Sequence, residues 1–131
     1  MSPELQALAS RAVACRRWRW VPGMLPLSWD GEDWTAEERL TDHQPEGMWV
    51  SDKSVPDLED PATLGCLLAL VREAWGAPNI IALAYSEGCF ADNPRWKVQD
   101  GFAATLVFAG RLSAEGGTEA EALVVALETA P

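Results

Sequence analysis

The sequence predicts an α+β protein: an antiparallel sheet with N-terminal, central and C-terminal helices packed on it as a layered α/β sandwich. Three observations carry this. A strongly apolar helix with both ends marked occupies the middle of the chain, Asp60 to Gly76. Two Asp-Gly hairpin signals stand at Asp30-Gly31 and Asp100-Gly101. Two further capped helices open and close the sequence.

In the central helix, Asp60 can accept from the free N–H groups of the first turn. Pro61 suits the first helical position, and Gly76 supplies a left-handed exit. Leu64, Leu67, Leu68, Val71 and Trp75 recur at helical spacing on one face. Cys66, Ala69, Leu70 and Ala74 fill most of the rest, so a narrow edge near Arg72 and Glu73 is expected to face water. So apolar a helix belongs in the middle of a fold, with strands on both sides packing against it. At about 16 residues it is too short to span a bilayer.

Ser2-Pro3-Glu4 starts the first helix as cap, first-position proline and acid at the positive end of the dipole. Leu5, Leu8, Ala9, Ala12 and Cys15 give its apolar stripe, and it is expected to end near Arg16–Arg17. Trp18-Arg19-Trp20-Val21 alternates and favours a strand, with both tryptophans on one face. Pro22-Gly23 turns, and Met24 to Trp29 is a second strand, placed at an edge or irregular stretch by Pro26. Asp30-Gly31 turns, and Glu32 to Thr35 returns as a third strand.

From Ala36 to Pro56 the pattern weakens. Thr35 to Leu40 fits one helical turn, Met48-Trp49-Val50 is a short strand or a plug over the core, and Ser51 to Asp60 is loop. After the central helix, Ile80 to Tyr85 reads as a buried strand. Arg95 to Gln99 alternates, with Trp96 and Val98 inward and Arg95 and Lys97 outward. Phe102 to Ala109 returns across Asp100-Gly101, and Ser113 to Gly117 is loop. Thr118-Glu119-Ala120-Glu121 opens the last helix with a capping box, and Ala120, Leu123, Val124 and Leu127 form its buried stripe.

A chain of 131 residues, 48% hydrophobic, suits one domain over 1–131 with its own core, and argues against wholesale disorder. The N-terminus lacks the long apolar core of a signal peptide. Cys15, Cys66 and Cys89 are odd in number and widely spaced, which fits reduced thiols in a cytosol. A zinc site would need all three to converge with His43, so no metal and no cofactor are expected.

The formal charge of −10 is unevenly placed. Residues 1–20 set Arg11, Arg16, Arg17 and Arg19 against Glu4. Residues 30–60, a less regular insertion, set eleven acids against Arg39 and Lys53. Such a surface repels nucleic-acid phosphate and anionic membrane and suits a basic partner; it also keeps a small protein soluble.

The back half resembles small bacteriophage and prophage proteins of the phage α/β/α (ABA) sandwich domain group. The resemblance rests on the helix Asp60–Gly76, the Trp96-x-Val98 strand, and an acid–Gly loop leading into Thr118-Glu119-Ala120-Glu121-Ala122-Leu123. Trp18 to Met24 also looks like phage-encoded relatives. The resemblance implies a layered α/β fold and a phage origin. It brings no activity and no catalytic residues.

Catalysis has little to work with. His43 is the sole histidine, beside Asp42 and Gln44, without a visible nucleophile or orienting group. No phosphate loop, nucleophile elbow or dinucleotide fingerprint occurs. The pairs Glu37-Glu38 and Glu59-Asp60 do not match a calcium loop. The seven tryptophans are the unusual feature. Trp75 and Trp96 are expected in the core. Among Trp18, Trp20, Trp29, Trp34 and Trp49, either one or two are exposed as interface anchors, or all five form a second small core.

Three readings follow. In the first the chain is a non-enzymatic binding protein of the bacterial host cytoplasm. Asp30, Glu32, Asp33, Trp34, Glu37, Glu38 and Trp49 then dock on a basic host protein, blocking nucleic-acid access as a charge mimic in an anti-defence role. In the second, Arg16, Arg17 and Arg19 hold a small anion such as a nucleotide. In the third, the chain is a structural homo-oligomer. The first is preferred, with no direct contact to nucleic acid or membrane.

Overall fold

The computed structural model describes residues 1–42, 50–85, 95–100 and 113–131. These residues form three helices and antiparallel strands, the α+β class that the sequence predicts. The strands make two three-stranded sheets rather than one. The chain divides into two compact units, Met1–Cys66 and Leu67–Pro131.

The first unit begins with α1 (Pro3–Ala14), capped as expected: the Leu5 N–H donates to Ser2 Oγ at 3.1 Å. Leu8, Ala9 and Ala12 are buried. The helix stops before Arg16–Arg17, because Cys15 is already extended and its N–H closes a tighter turn onto Ala12 O. The strand expected over Trp18–Val21 does not form. Its alternation does place both indoles together, but they pack on each other, T-shaped with centroids 5.3 Å apart, rather than along a neighbouring strand.

The first sheet consists of β1 (Pro26–Trp29), β2 (Trp34–Ala36) and β3 (Val55–Pro56), with β1 in the centre. Pro26 was expected to mark an edge or an irregular stretch; it is instead the first residue of the central strand. There its carbonyl accepts from the Glu37 N–H, and Leu25 O accepts from the Asp57 N–H, so the bonds on either side make no demand on the missing donor. The helical turn expected over Thr35–Leu40 is extended chain. Leu40 N–H donates to Met24 O, and Gly23 N–H to Leu40 O. β3 comes from a segment read as loop, since two residues become a strand only when a partner is beside them. Met48 and Trp49, in the expected short strand, lie outside the described residues.

Polar side chains tie this unit together. Asp60 caps α2 (Pro61–Trp75): its Oδ2 accepts from Thr63 N at 2.9 Å and Thr63 Oγ1 at 2.8 Å. Thr63 is fully buried and its hydroxyl in turn accepts the Leu25 N–H at 2.9 Å. Arg39 grips the same carboxylate with both terminal nitrogens, at 2.7 and 2.9 Å, and donates to Gly23 O at 2.8 Å. The sheet, the extended segment and the helix start thus meet at one carboxylate. The guanidinium, ahead of the Thr63 hydroxyl and N–H, holds the Asp60 carboxyl well below the usual range.

In the second unit α2 ends as predicted, with Gly76 at φ 59° and the Ala77 N–H returning to Arg72 O. Leu67, Leu70 and Val71 are buried, whereas Leu68 and Trp75 are half-buried. The water-facing edge of α2 is Ala62, Gly65, Ala69 and Glu73. Arg72 is not part of it, because its Nε donates to Ile80 O at 2.8 Å and its stem lies against the fold.

The second sheet has the order β4 (Ile80–Tyr85), β5 (Arg95–Asp100), β6 (Ser113–Gly116). β4 forms where expected but is not wholly buried: Ile80 is covered, while Ile81 and Ala84 are exposed. β5 faces as expected at Val98, buried, and Arg95, exposed; Trp96 is half-buried rather than core. β6 replaces the loop read over Ser113–Gly117, pairing Val98 with Ala114 and Trp96 with Gly116. The strand expected over Phe102–Ala109 lies outside the described residues.

α3 (Glu119–Glu128) buries the predicted stripe of Ala120, Leu123, Val124 and Leu127, and Ala122 and Ala126 besides. Thr118 Oγ1 accepts the Glu121 N–H at 3.1 Å, as in a capping box. The reciprocal bond differs: Glu121 Oε2 accepts from Gly117 N, one residue earlier than expected. Gly116 lies so close to this helix start that a Cβ on it would meet Ala122 N at 2.7 Å and Glu121 Cβ at 2.8 Å.

Candidate functional site

Sequence reasoning named the acidic stretch, and one hairpin gathers four of its candidates. β1 and β2 run antiparallel with Trp29 directly opposite Trp34. Their rings pack at a 5.7 Å centroid distance and 61°, within the edge-to-face range that aromatic quadrupoles favour. The connection Asp30-Gly31-Glu32-Asp33 closes with Asp30 N–H donating to Asp33 O, and Gly31 takes the left-handed φ of 104° that this turn requires.

The aspartates hold the loop. Asp30 Oδ1 accepts from both Glu32 N and Asp33 N at 2.8 Å, and Asp33 Oδ1 from Trp34 N at 2.7 Å. Those N–H groups, Asp33's first and Glu32's next, lower the Asp30 pKa, which keeps a fixed negative charge at the tip. The Glu32 side chain is exposed and makes no hydrogen bond or ion pair among the described residues; its backbone N–H alone is engaged.

The remaining candidates separate. Glu37 is half-buried and its Oε1 accepts from Ser54 Oγ at 3.3 Å, so it belongs partly to the packing of the first unit. Glu38 is exposed on the segment that follows β2. Trp49 and His43 lie outside the described residues. Arg16 and Arg17 sit exposed in the turn after α1, and Arg19 is exposed between the paired indoles of Trp18 and Trp20.

The residue absent from the candidate set is Trp29. It is the most exposed large apolar side chain among the described residues, 54% open to solvent. The sequence held a signal for it: a tryptophan on each side of an Asp-Gly turn, at positions that pair across a four-residue loop. Trp34, half-buried, braces it.

Among the described residues no three or more His, Cys, Asp or Glu side chains gather as a metal site requires. Cys15 and Cys66 are in no disulfide. Cys66 Sγ donates to Pro22 O at 3.4 Å, and burial pushes its pKa up, away from the reactive thiolate. Cys89 lies outside the described residues. No helix among the described residues is long and apolar enough to cross a membrane.

The hairpin end therefore offers an exposed indole, a second ring packed against it, and exposed acceptor-only carboxylates in the loop between them. The chemistry of such a set suits cations and apolar surface. Comparison with protein-family models, curated proteins and solved structures finds no match to this chain.

Proposed function

We propose that this chain is a non-enzymatic binding protein whose β1–β2 hairpin docks on a basic protein surface. The observation that carries the reading is Trp29, left 54% exposed at the end of a hairpin whose loop is Asp30-Gly31-Glu32-Asp33. Leaving an indole in water costs hydrophobic free energy that a partner's surface can recover, and tryptophan is prominent among residues that dominate interfaces. The surrounding charge steers a basic partner and disfavours nucleic acid itself. The resemblance to phage proteins supports a bacterial cytoplasm as the setting. There the partner is a host nucleic-acid-binding or defence protein whose basic face the hairpin occupies.

The test is a pull-down from a bacterial host at low salt with the tagged chain and with a Glu32→Gln, Glu38→Gln variant. This pair removes charge without touching the aspartates that hold the turn. Recovery of one nucleic-acid-binding protein by the wild type, lost with the variant, is the expected result. Recovery of the chain alone would defeat the reading and favour self-association.

A further inference from the structure

We infer that the hairpin selects arginine over lysine: the basic segment it takes presents a guanidinium that stacks on the exposed indole of Trp29, beside the Glu32 carboxylate. This rests on the docking function proposed above and names its chemistry. Three features of the hairpin lead to it.

The first is the geometry of the ring pair. Trp29 is 54% exposed, yet its ring packs against Trp34 at 61° and 5.7 Å, so the indole is held by a neighbour while about half of the residue stays open to solvent. A ring already held by a neighbour loses little rotamer freedom when a ligand covers it. Tryptophan offers the strongest cation–π face of the aromatic residues.

The second is the division of labour among the carboxylates. Asp30 and Asp33 spend one oxygen each on the loop's N–H groups. They supply fixed charge but are poorly placed to reorient. Glu32, between them in the chain, is exposed, and its carboxylate is unengaged among the described residues, on a longer side chain that can follow a ligand.

The third is the match of ligand to site. A guanidinium is planar, weakly hydrated and always charged, so it can lie flat on an indole while its edge donates to a carboxylate. An ammonium is a compact, strongly hydrated point charge and gains less from a partly open ring. An exposed, braced indole with an unengaged carboxylate side chain in the adjoining loop fits the first better than the second.

The test titrates end-blocked, dye-labelled octa-arginine and octa-lysine peptides with the purified full-length chain at fixed low salt, read by fluorescence anisotropy. Octa-arginine should bind about three- to fivefold more tightly than octa-lysine. Trp29→Ala, and Trp29→Leu which keeps apolar bulk, should abolish that preference, with circular dichroism unchanged. Glu32→Gln should weaken both peptides. Equal affinity for the two peptides in the wild type, or a preference that survives both Trp29 variants, would overturn the arginine inference. Equal affinities that fall together on neutralising Glu32 and Glu38 would leave the docking function standing. Binding of neither peptide by the wild type would defeat both.

Discussion

The two units of this chain solve the same problem by different means. The first has strands of four, three and two residues, too short to bury much, and relies on side chains that bond to backbone. Asp60, Thr63 and Arg39 join the sheet, the segment after β2 and the helix start through one carboxylate. The second has longer paired strands under a helix whose inner face is almost wholly apolar, and depends on close approach at Gly116. Where apolar area is scarce, directional polar bonds set the geometry; where it is ample, small residues that let backbones meet do so.

The largest expected effect tests the second unit. Gly116→Ala forces a methyl against Ala122 N and Glu121 Cβ, atoms held by a helix, and should cost about 2–3 kcal/mol in chemical denaturation. Hydrogen exchange should quicken in β5, β6 and α3 first. A wild-type midpoint for this variant would mean that close approach is not what limits the unit.

Thr63→Val comes next and tests the first unit. The isosteric change removes the hydroxyl that serves Leu25 N and Asp60, and leaves a partly buried N–H without its acceptor. It should cost about 1–2 kcal/mol, with faster exchange at Leu25 and in the first turn of α2. Loss of protection spread evenly over both units would erase the contrast drawn between them.

Asp60→Asn has a smaller effect with a distinctive pH signature, since asparagine caps a helix nearly as well. The folded-state pKa of Asp60 is depressed, so its contribution is complete above the unfolded value of about 3.9 and is lost as pH falls from there through the folded value. Wild type and variant should therefore differ in melting temperature at neutral pH and begin to converge as the pH falls below about 4. A difference that persists unchanged into acid would show that the carboxylate's charge is not what Arg39 reads.

The smallest expected change is at the proposed interface. Trp29→Ala alters a residue that is 54% exposed and packs on Trp34 across the hairpin, so it should shift stability by no more than about 1 kcal/mol while removing the preference for octa-arginine. A large destabilisation would reassign Trp29 to the structure of the hairpin.

The candidate site was legible where its pattern is local. Asp30-Gly31 announced a turn, and Asp30, Glu32, Asp33 and Trp34 do lie together at its end. Glu37 did not stay with them, because its carboxylate meets Ser54, seventeen positions away. Trp29 was one of five tryptophans that sequence could not rank, since exposure depends on what the remainder of the fold places above a ring.

The same division runs through the whole chain. Sequence alone determined the helix starts at Ser2, Asp60 and Thr118, the exit at Gly76 and the α+β class, because caps and periodic stripes act within a few residues of themselves. Tertiary structure decided which extended segments became strands. Val55–Pro56 and Ser113–Gly116 read as loops until β1 and β5 stood beside them, while Trp18–Val21 alternated correctly and joined no sheet among the described residues. A strand is half of a hydrogen-bonded pair, and its other half is supplied from elsewhere in the chain.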